Sequence, residues 1–181
     1  DAQVGRLLDA LDKSPHAKNT IVVLWSDHGM HIGEKQQWEK FTLFEEATRV
    51  PLIIVATGTT KAGTVCNRPV SLLDVYPTLN ELCGLPVRED LDGVSLVPLL
   101  KNPKSKWDRP SITTWGKGNH AARGQRYRYI RHPNGEEQLY DHKTDPDEFT
   151  NLADKPELAG VKVRLAQWLP KTNANPVHNK K

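Results

Sequence analysis

Thr20-Ile21-Val22-Val23-Leu24-Trp25-Ser26-Asp27-His28-Gly29 is the stretch that decides the fold of this chain. Ile21 to Trp25 form an unbroken apolar, largely β-branched run, the pattern of a strand covered on both faces, as in a parallel sheet. Polarity then changes within one residue. Ser26, Asp27 and His28 follow at the carboxyl end of the strand, the edge where open α/β sheets place their ligand sites. Neighbours on an extended strand point to opposite faces, so Asp27 and His28 reach one ion only where the backbone leaves the sheet, and Gly29 permits that turn.

Working outward, a carboxylate and an imidazole together hold a divalent cation. The imidazole leans toward zinc or manganese, whereas calcium takes about six to eight oxygen ligands. The plainer reading of the same pair is an aspartate capping the next turn beside a hydrogen-bonded histidine. His31 to Lys40 reads as a polar loop. In it Lys40 offers a compact charge on a long stem, suited to one oxygen of a sulfate or phosphate, although a loop lysine is more often a solvated surface charge. Trp38 suits stacking on a sugar ring as well as core packing. His31 and Glu34 read as solvent-exposed. Phe41 to Thr48 reads as a short helix with Phe44 and Ala47 inward, and Arg49 is placed to pair with Glu45 one turn back. Val50 to Ala56 is a second buried strand, with Pro51 near its start.

Ser26-Asp27-His28-Gly29, Gly33-Glu34, Trp38, Lys40 and Arg49-Val50-Pro51-Leu52-Ile53, in that order, resemble the second half of a sulfatase of the alkaline-phosphatase-like superfamily, closest to the iduronate-2-sulfatase type. Later landmarks recur in order, among them Asp74, Pro77-Thr78, Leu139-Tyr140-Asp141, Asp145-Pro146-Asp147-Glu148 and Asn151-Leu152, so the resemblance spans Ala2 to Leu169. It implies a metal-dependent hydrolase of sulfate esters acting on a sulfated sugar or glycan. Asp27 and His28 are then ligands of a divalent metal, calcium by resemblance, Lys40 contacts the sulfate, and Trp38 meets the substrate.

The resemblance also implies a formylglycine nucleophile made from a Cys/Ser-x-Pro-x-Arg motif. Neither Cys66-Asn67-Arg68-Pro69 nor Cys83-Gly84-Leu85-Pro86 fits that motif, and the family's early aspartate ligands are missing too. The expectation is half a metal site, no nucleophile and no turnover by this chain alone. Its natural partner is then the N-terminal portion of the same enzyme, in a periplasmic, secreted or lysosome-like compartment. The run Ser26-Asp27-His28-Gly29-Met30 also resembles nucleotide phosphodiesterases, whose two-zinc sites need a further downstream histidine. His120 and His132 are the candidates, and the Trp38 and Lys40 spacing favours the sulfatase. A third reading is a non-catalytic carbohydrate-binding module.

The 181 residues, 37% hydrophobic, suffice for a core of ordinary domain size but are short for a complete sulfatase. A net charge of +3 with acids and bases interspersed shows no concentrated basic face, which argues against nucleic acid, and only Lys171 to Lys181 is noticeably basic. No apolar run approaches the ~20 residues of a membrane span, so the chain reads as soluble. Cys66 and Cys83 are too far apart for a CxxC motif and read as separate thiols or a disulfide.

The remaining elements complete an α/β reading: part of a mostly parallel sheet sandwiched by helices, followed by a small C-terminal antiparallel sheet with a packed helix. Ala2 to Leu11 is a helix with Val4, Leu7, Leu8 and Leu11 on one face, packing on the sheet. Ser71 and Asp74 form an acidic variant of a capping box, opening a helix that Gly84 stops. Asn102 to Arg109 is a linker, dividing a core part at 1–108 from an antiparallel part at 109–170 and a disordered tail at 171–181. Ser111 to Trp115, Gln125 to Arg131 and Glu137 to Tyr140 read as strands, the last two joined by an Asn134-Gly135 hairpin. The segment with His120 and Arg123 reads as a surface loop, with reach to the active-site mouth as the less favoured alternative. Asp141, Asp145 and Glu148 read as turn chemistry rather than a calcium loop, and Pro156 to Leu169 as the final helix.

Overall fold

A computed structural model describes residues 1–175; the last six residues of the expected tail lie outside the described residues. The decisive apolar run is β1, Val22–Trp25, and its partner is β4, Leu52–Val55. The two run antiparallel, with Trp25 opposite Leu52 and Val22 opposite Val55. This corrects the expected parallel sheet, which is not found among the described residues. An apolar run signals burial and says nothing of direction; direction is set by the connection. Here the chain leaves at Trp25 and returns at Leu52, so both ends of the intervening loop lie side by side.

The apolar faces of this ribbon are also more open than the run suggests, with Trp25, Ile53 and Val55 half exposed or more. Helix α1, Ala2–Asp12, forms as its periodicity requires but buries no residue, and Leu7 is 73% exposed. The expectation that it packs on the sheet is therefore not met within this chain, which supplies no layer over that stripe.

Between β1 and β4 the loop winds tightly. Strand β2, His31–Ile32, pairs antiparallel with β3, Trp38–Glu39, and α2 is a single turn, Glu45–Thr48. Three non-glycine residues of this loop, Lys35, Gln36 and Glu39, adopt positive φ, alongside Gly33 at φ +128°. Such backbone persists where surroundings over-determine it, and it gathers at functional sites. His31, expected in solvent, is buried: Nε2 lies 2.7 Å from the Thr42 hydroxyl oxygen, and the Phe44 ring meets it edge-on. Two-residue strands are too short for alternation to reveal which side chain turns inward.

Helix α3, Val75–Leu82, follows the expected capping box. The Ser71 hydroxyl accepts from Leu73 N–H, and the Asp74 carboxylate accepts from Ser71 N–H. Asp74 is buried and also accepts from Val94 N–H at 2.9 Å, while Thr78 accepts from Leu96 N–H, so one cap fastens the chain leading into α4, Val97–Lys101. Gly84 ends the helix at φ +66°. Cys66 and Cys83 are free and exposed.

The larger sheet runs β5-β6-β7-β8, all antiparallel: Ser111–Thr114, His120–Arg123, Tyr127–Arg131 and Glu137–Asp141. The Asn134-Gly135 hairpin is where expected, with Gly135 at φ +89°. Strand β6 replaces the expected surface loop. Its alternation is masked because Ala121 and Ala122 are small, and both are buried on opposite faces. His120 on this strand is buried between the Thr114 hydroxyl and the Asn173 side chain, 2.8 and 2.7 Å away.

One face of the sheet, through Ala122, Tyr129 and Leu139, packs on α5, Ala159–Ala166, and on Leu169 beyond it. The other face, through Ala121, Ile130 and Tyr140, packs on Leu43 and Phe44. The loop between β1 and β4 is thus clamped onto the back of the C-terminal sheet.

Candidate active site

Asp27 and His28 leave the end of β1 together, as the change of polarity at Ser26 requires. His28 Nε2 lies 2.8 Å from Asp27 Oδ2. Its Nδ1 lies 3.2 Å from the Gly29 carbonyl oxygen, which only accepts; with the proton on Nδ1, Nε2 is left as an acceptor beside the carboxylate. A backbone carbonyl on one imidazole nitrogen is the usual means of presenting the other as a ligand. Lys40 returns along the loop to set its Nζ 2.6 Å from the same Nε2.

Three of the four residues singled out from sequence therefore meet at one point. Two acceptor atoms and an ammonium share it, and all three residues line a cleft of about 1220 Å³ that Arg49, Arg68, Arg123 and Arg126 also line. A hard carboxylate oxygen and an imidazole nitrogen face one spot and suit a divalent cation, provided that Lys40 Nζ, 2.6 Å from Nε2, shifts aside to admit it. The fourth residue, Trp38, stands apart. It is 70% exposed on β3, outside the core, and does not line the cleft.

Arg49 does not pair with Glu45. Helix α2 stops at Thr48 and Arg49 is extended, φ −89° and ψ 119°, so its side chain is no longer stacked one turn above Glu45. The Glu45 carboxylate goes instead to Arg128 and Arg123 of the C-terminal sheet. Arg128 is 1% exposed; its Nε lies 2.5 Å from Glu148 Oε1, and its Nη1 donates to the Leu43 carbonyl at 2.9 Å. His142 Nε2 lies 2.8 Å from the same Glu148 oxygen.

Burial pushes the Glu148 carboxyl up, but the hydrogen bond from His142, the Arg128 charge and the Glu45 amide together outweigh it and hold the group below its ordinary value. Glu45 ends below its ordinary value for the same reason, burial being overcome by Arg128, Arg123 and His142. Glu45, His142 and Glu148 bring ligand atoms within 4.8 Å of one another. They are nonetheless poor metal ligands, because the Arg128 guanidinium already stands between both carboxylates and supplies the positive charge. Sequence reasoning missed this group. Its one legible trace was Asp145-Pro146-Asp147-Glu148, where Asp145 does make the turn by accepting from Phe149 and Thr150 N–H, and Glu148 points inward.

Residues 33–175 match the family described as N-sulphoglucosamine sulphohydrolase, C-terminal. The chain belongs to this sulfatase family. A sulfatase of Formosa agariphila is 44% identical over 174 residues, which are 96% of this chain and 34% of that protein. A solved protein in complex with its substrate D-glucosamine-2-N,6-O-disulfate is 31% identical, with a TM-score of 0.77, over 92% of this chain and 36% of the other. The phosphonate monoester hydrolase of Agrobacterium radiobacter superimposes with a TM-score of 0.80 at 27% identity, over 92% of this chain and 37% of that one. These likenesses bear out the α/β class, and the sulfatase chain spans about a third of the length of the curated relatives it matches. Among the described residues no helix is long and apolar enough to cross a membrane.

Proposed function

We propose that this chain is the C-terminal part of a metal-dependent sulfatase that hydrolyses sulfate esters of a sulfated sugar or glycan. The observation that carries the reading is the meeting of Asp27 Oδ2, His28 Nε2 and Lys40 Nζ at the end of β1. Asp27 and His28 hold the divalent cation, calcium by resemblance, and Lys40 places its charge on one sulfate oxygen. When bound, the cation adds positive charge at the anion. The residues of this chain orient that anion: the Gly29 carbonyl fixes the His28 ring, and the wound loop returns Lys40 to it. The remaining ligands and the formylglycine nucleophile are supplied from outside this chain, by the N-terminal portion of the enzyme. The sugar-disulfate substrate named for one solved relative supports a sulfated carbohydrate as the substrate class.

A phosphate- or phosphonate-ester hydrolase of the same superfamily is the second reading, supported by the close superposition on a phosphonate monoester hydrolase. Its two-zinc version needs a downstream histidine at the site. His120 and His132 do not line the cleft, and His142, which does, is held by Glu148. The test is to express the complete reading frame and assay it against sulfate, phosphate and phosphonate esters with and without chelator. Chelator-sensitive turnover of sulfate esters is expected; turnover confined to phosphorus esters overturns the reading.

A further inference from the structure

The loop that carries Lys40 is gripped from outside at both ends, and both grips involve one residue. At its start, Lys35 Nζ donates to the backbone carbonyl of Glu148 and lies 4.4, 5.0 and 5.6 Å from the ring centres of Phe44, Tyr140 and Phe149. At its end, Glu45 N–H donates to Glu148 Oε2 at 2.9 Å. Arg128 braces the same carboxylate while holding the Leu43 carbonyl and the Glu45 side chain. Among the described residues only four non-glycine positions have positive φ: three lie in this loop and the fourth is Glu148 itself, at +60°.

We infer that Glu148, braced by Arg128, is the positioning residue of Lys40, fixing the loop from Lys35 to Glu45 on the C-terminal sheet so that the ammonium meets an anion beside Asp27 and His28. Glu148 does not line the cleft. A buried ion pair stabilises little relative to an apolar pair of the same volume, yet its directional hydrogen bonds set geometry, and here they join a strained loop to a rigid sheet. Beyond the contact of its Nζ with His28 Nε2, the long stem of Lys40 takes its position from the loop. The inference rests on the proposed contact between Lys40 and the sulfate.

The test is a double-mutant cycle on the full-length protein, read as the affinity for inorganic sulfate in the presence of calcium, with calcium affinity and melting temperature measured on every variant. Glu148→Gln and Lys35→Met are each expected to weaken sulfate binding about tenfold, the scale on which sub-ångström misplacement acts. On a Lys40→Met background neither weakens it further, because both act through Lys40. Calcium affinity stays unchanged. Should Glu148→Gln fail to fold, Lys35→Met, which removes a single half-buried cation, carries the cycle. Losses that add to that of Lys40→Met, or no loss in either variant, overturn the positioning role while leaving the proposed function intact. If Lys40→Met itself leaves sulfate binding unchanged, the anion contact is wrong and both readings fall.

Discussion

Gly29 lies so close to Glu46 that a Cβ at position 29 would stand 1.9 Å from the Glu46 carbonyl oxygen. The glycine after Asp27-His28 is thus required for the close approach of two backbones, and Gly29 N–H donates to the Ala47 carbonyl at 2.9 Å to hold it. Gly29→Ala must push α2 away from the end of β1. The expected loss is about 2–4 kcal/mol, in the range of overpacking into backbone. Thermal melting checks it, and a melting temperature equal to that of the parent would show that the two segments separate freely.

The proposed cation ligands can be tested apart from catalysis. Asp27→Ala and His28→Ala, in the full-length protein, are each expected to weaken calcium binding on the order of a hundredfold, since each removes one donor from a small set. Isothermal titration with calcium reads the effect directly. Unchanged affinity in both variants would return the pair to its plainer role, a turn-capping aspartate beside a hydrogen-bonded histidine.

Acid should loosen the junction between the loop and the C-terminal sheet. Glu148 and Glu45 both have carboxyls held below their ordinary value of 4.5, burial being outweighed by Arg128, His142 and Arg123. A lowered folded value means that the stabilisation is complete above the ordinary value and is lost as pH falls through the folded one. The melting temperature is therefore expected to decline below about pH 4.5 in the parent and to decline less in Glu148→Gln. A parent and variant with parallel pH profiles would show that this carboxylate adds no proton-linked stability.

Away from the site, Asp74 makes the sharpest stability test. Its buried carboxylate accepts from Ser71 N–H, three residues before it, and from Val94 N–H, 20 residues after it. Asp74→Ala leaves two interior donors unpaired, which costs about 2–4 kcal/mol. Denaturant melts measure the loss, and calcium affinity at Asp27 and His28 should not follow it.

The meeting of Asp27, His28 and Lys40 was legible for a chemical reason: polarity changes abruptly where the strand before them ends, and that edge is where they stand. The strand direction was not legible, since Val22 to Trp25 looks the same whether its partner runs parallel or antiparallel. Nor was the clamp of Arg128, Glu148, Glu45 and His142. Its members lie on β7, on the turn before Phe149, on α2 and just after β8, and no local period links residues brought together only by sheet packing. Arg128 sits in a segment read as a strand, but a long charged side chain at an inward position is invisible until its partners are known. Trp38 could not be placed from sequence, because proximity along the chain does not decide whether an aromatic lines the cleft, and here it stands exposed on β3 outside it.

The open apolar faces supply the last prediction. Trp25, Ile53 and Val55 on the β1-β4 ribbon and Leu7 on α1 are each at least half exposed, although their sequence pattern is that of covered elements. Contiguous exposed apolar surface marks an interface or an aggregation hazard. If the N-terminal portion of the enzyme covers these faces, this chain produced alone should bind a hydrophobic dye such as anilinonaphthalene sulfonate strongly and self-associate in sedimentation. The full-length protein should do neither. Trp25→Ser with Ile53→Thr should lower dye binding and self-association of the isolated chain, yet destabilise the full-length protein by about 2–5 kcal/mol, as removal of buried side chains does. A substitution pair that leaves the full-length protein as stable as before would mean that the ribbon faces solvent there as well, and the larger part of the enzyme would then have to pack elsewhere.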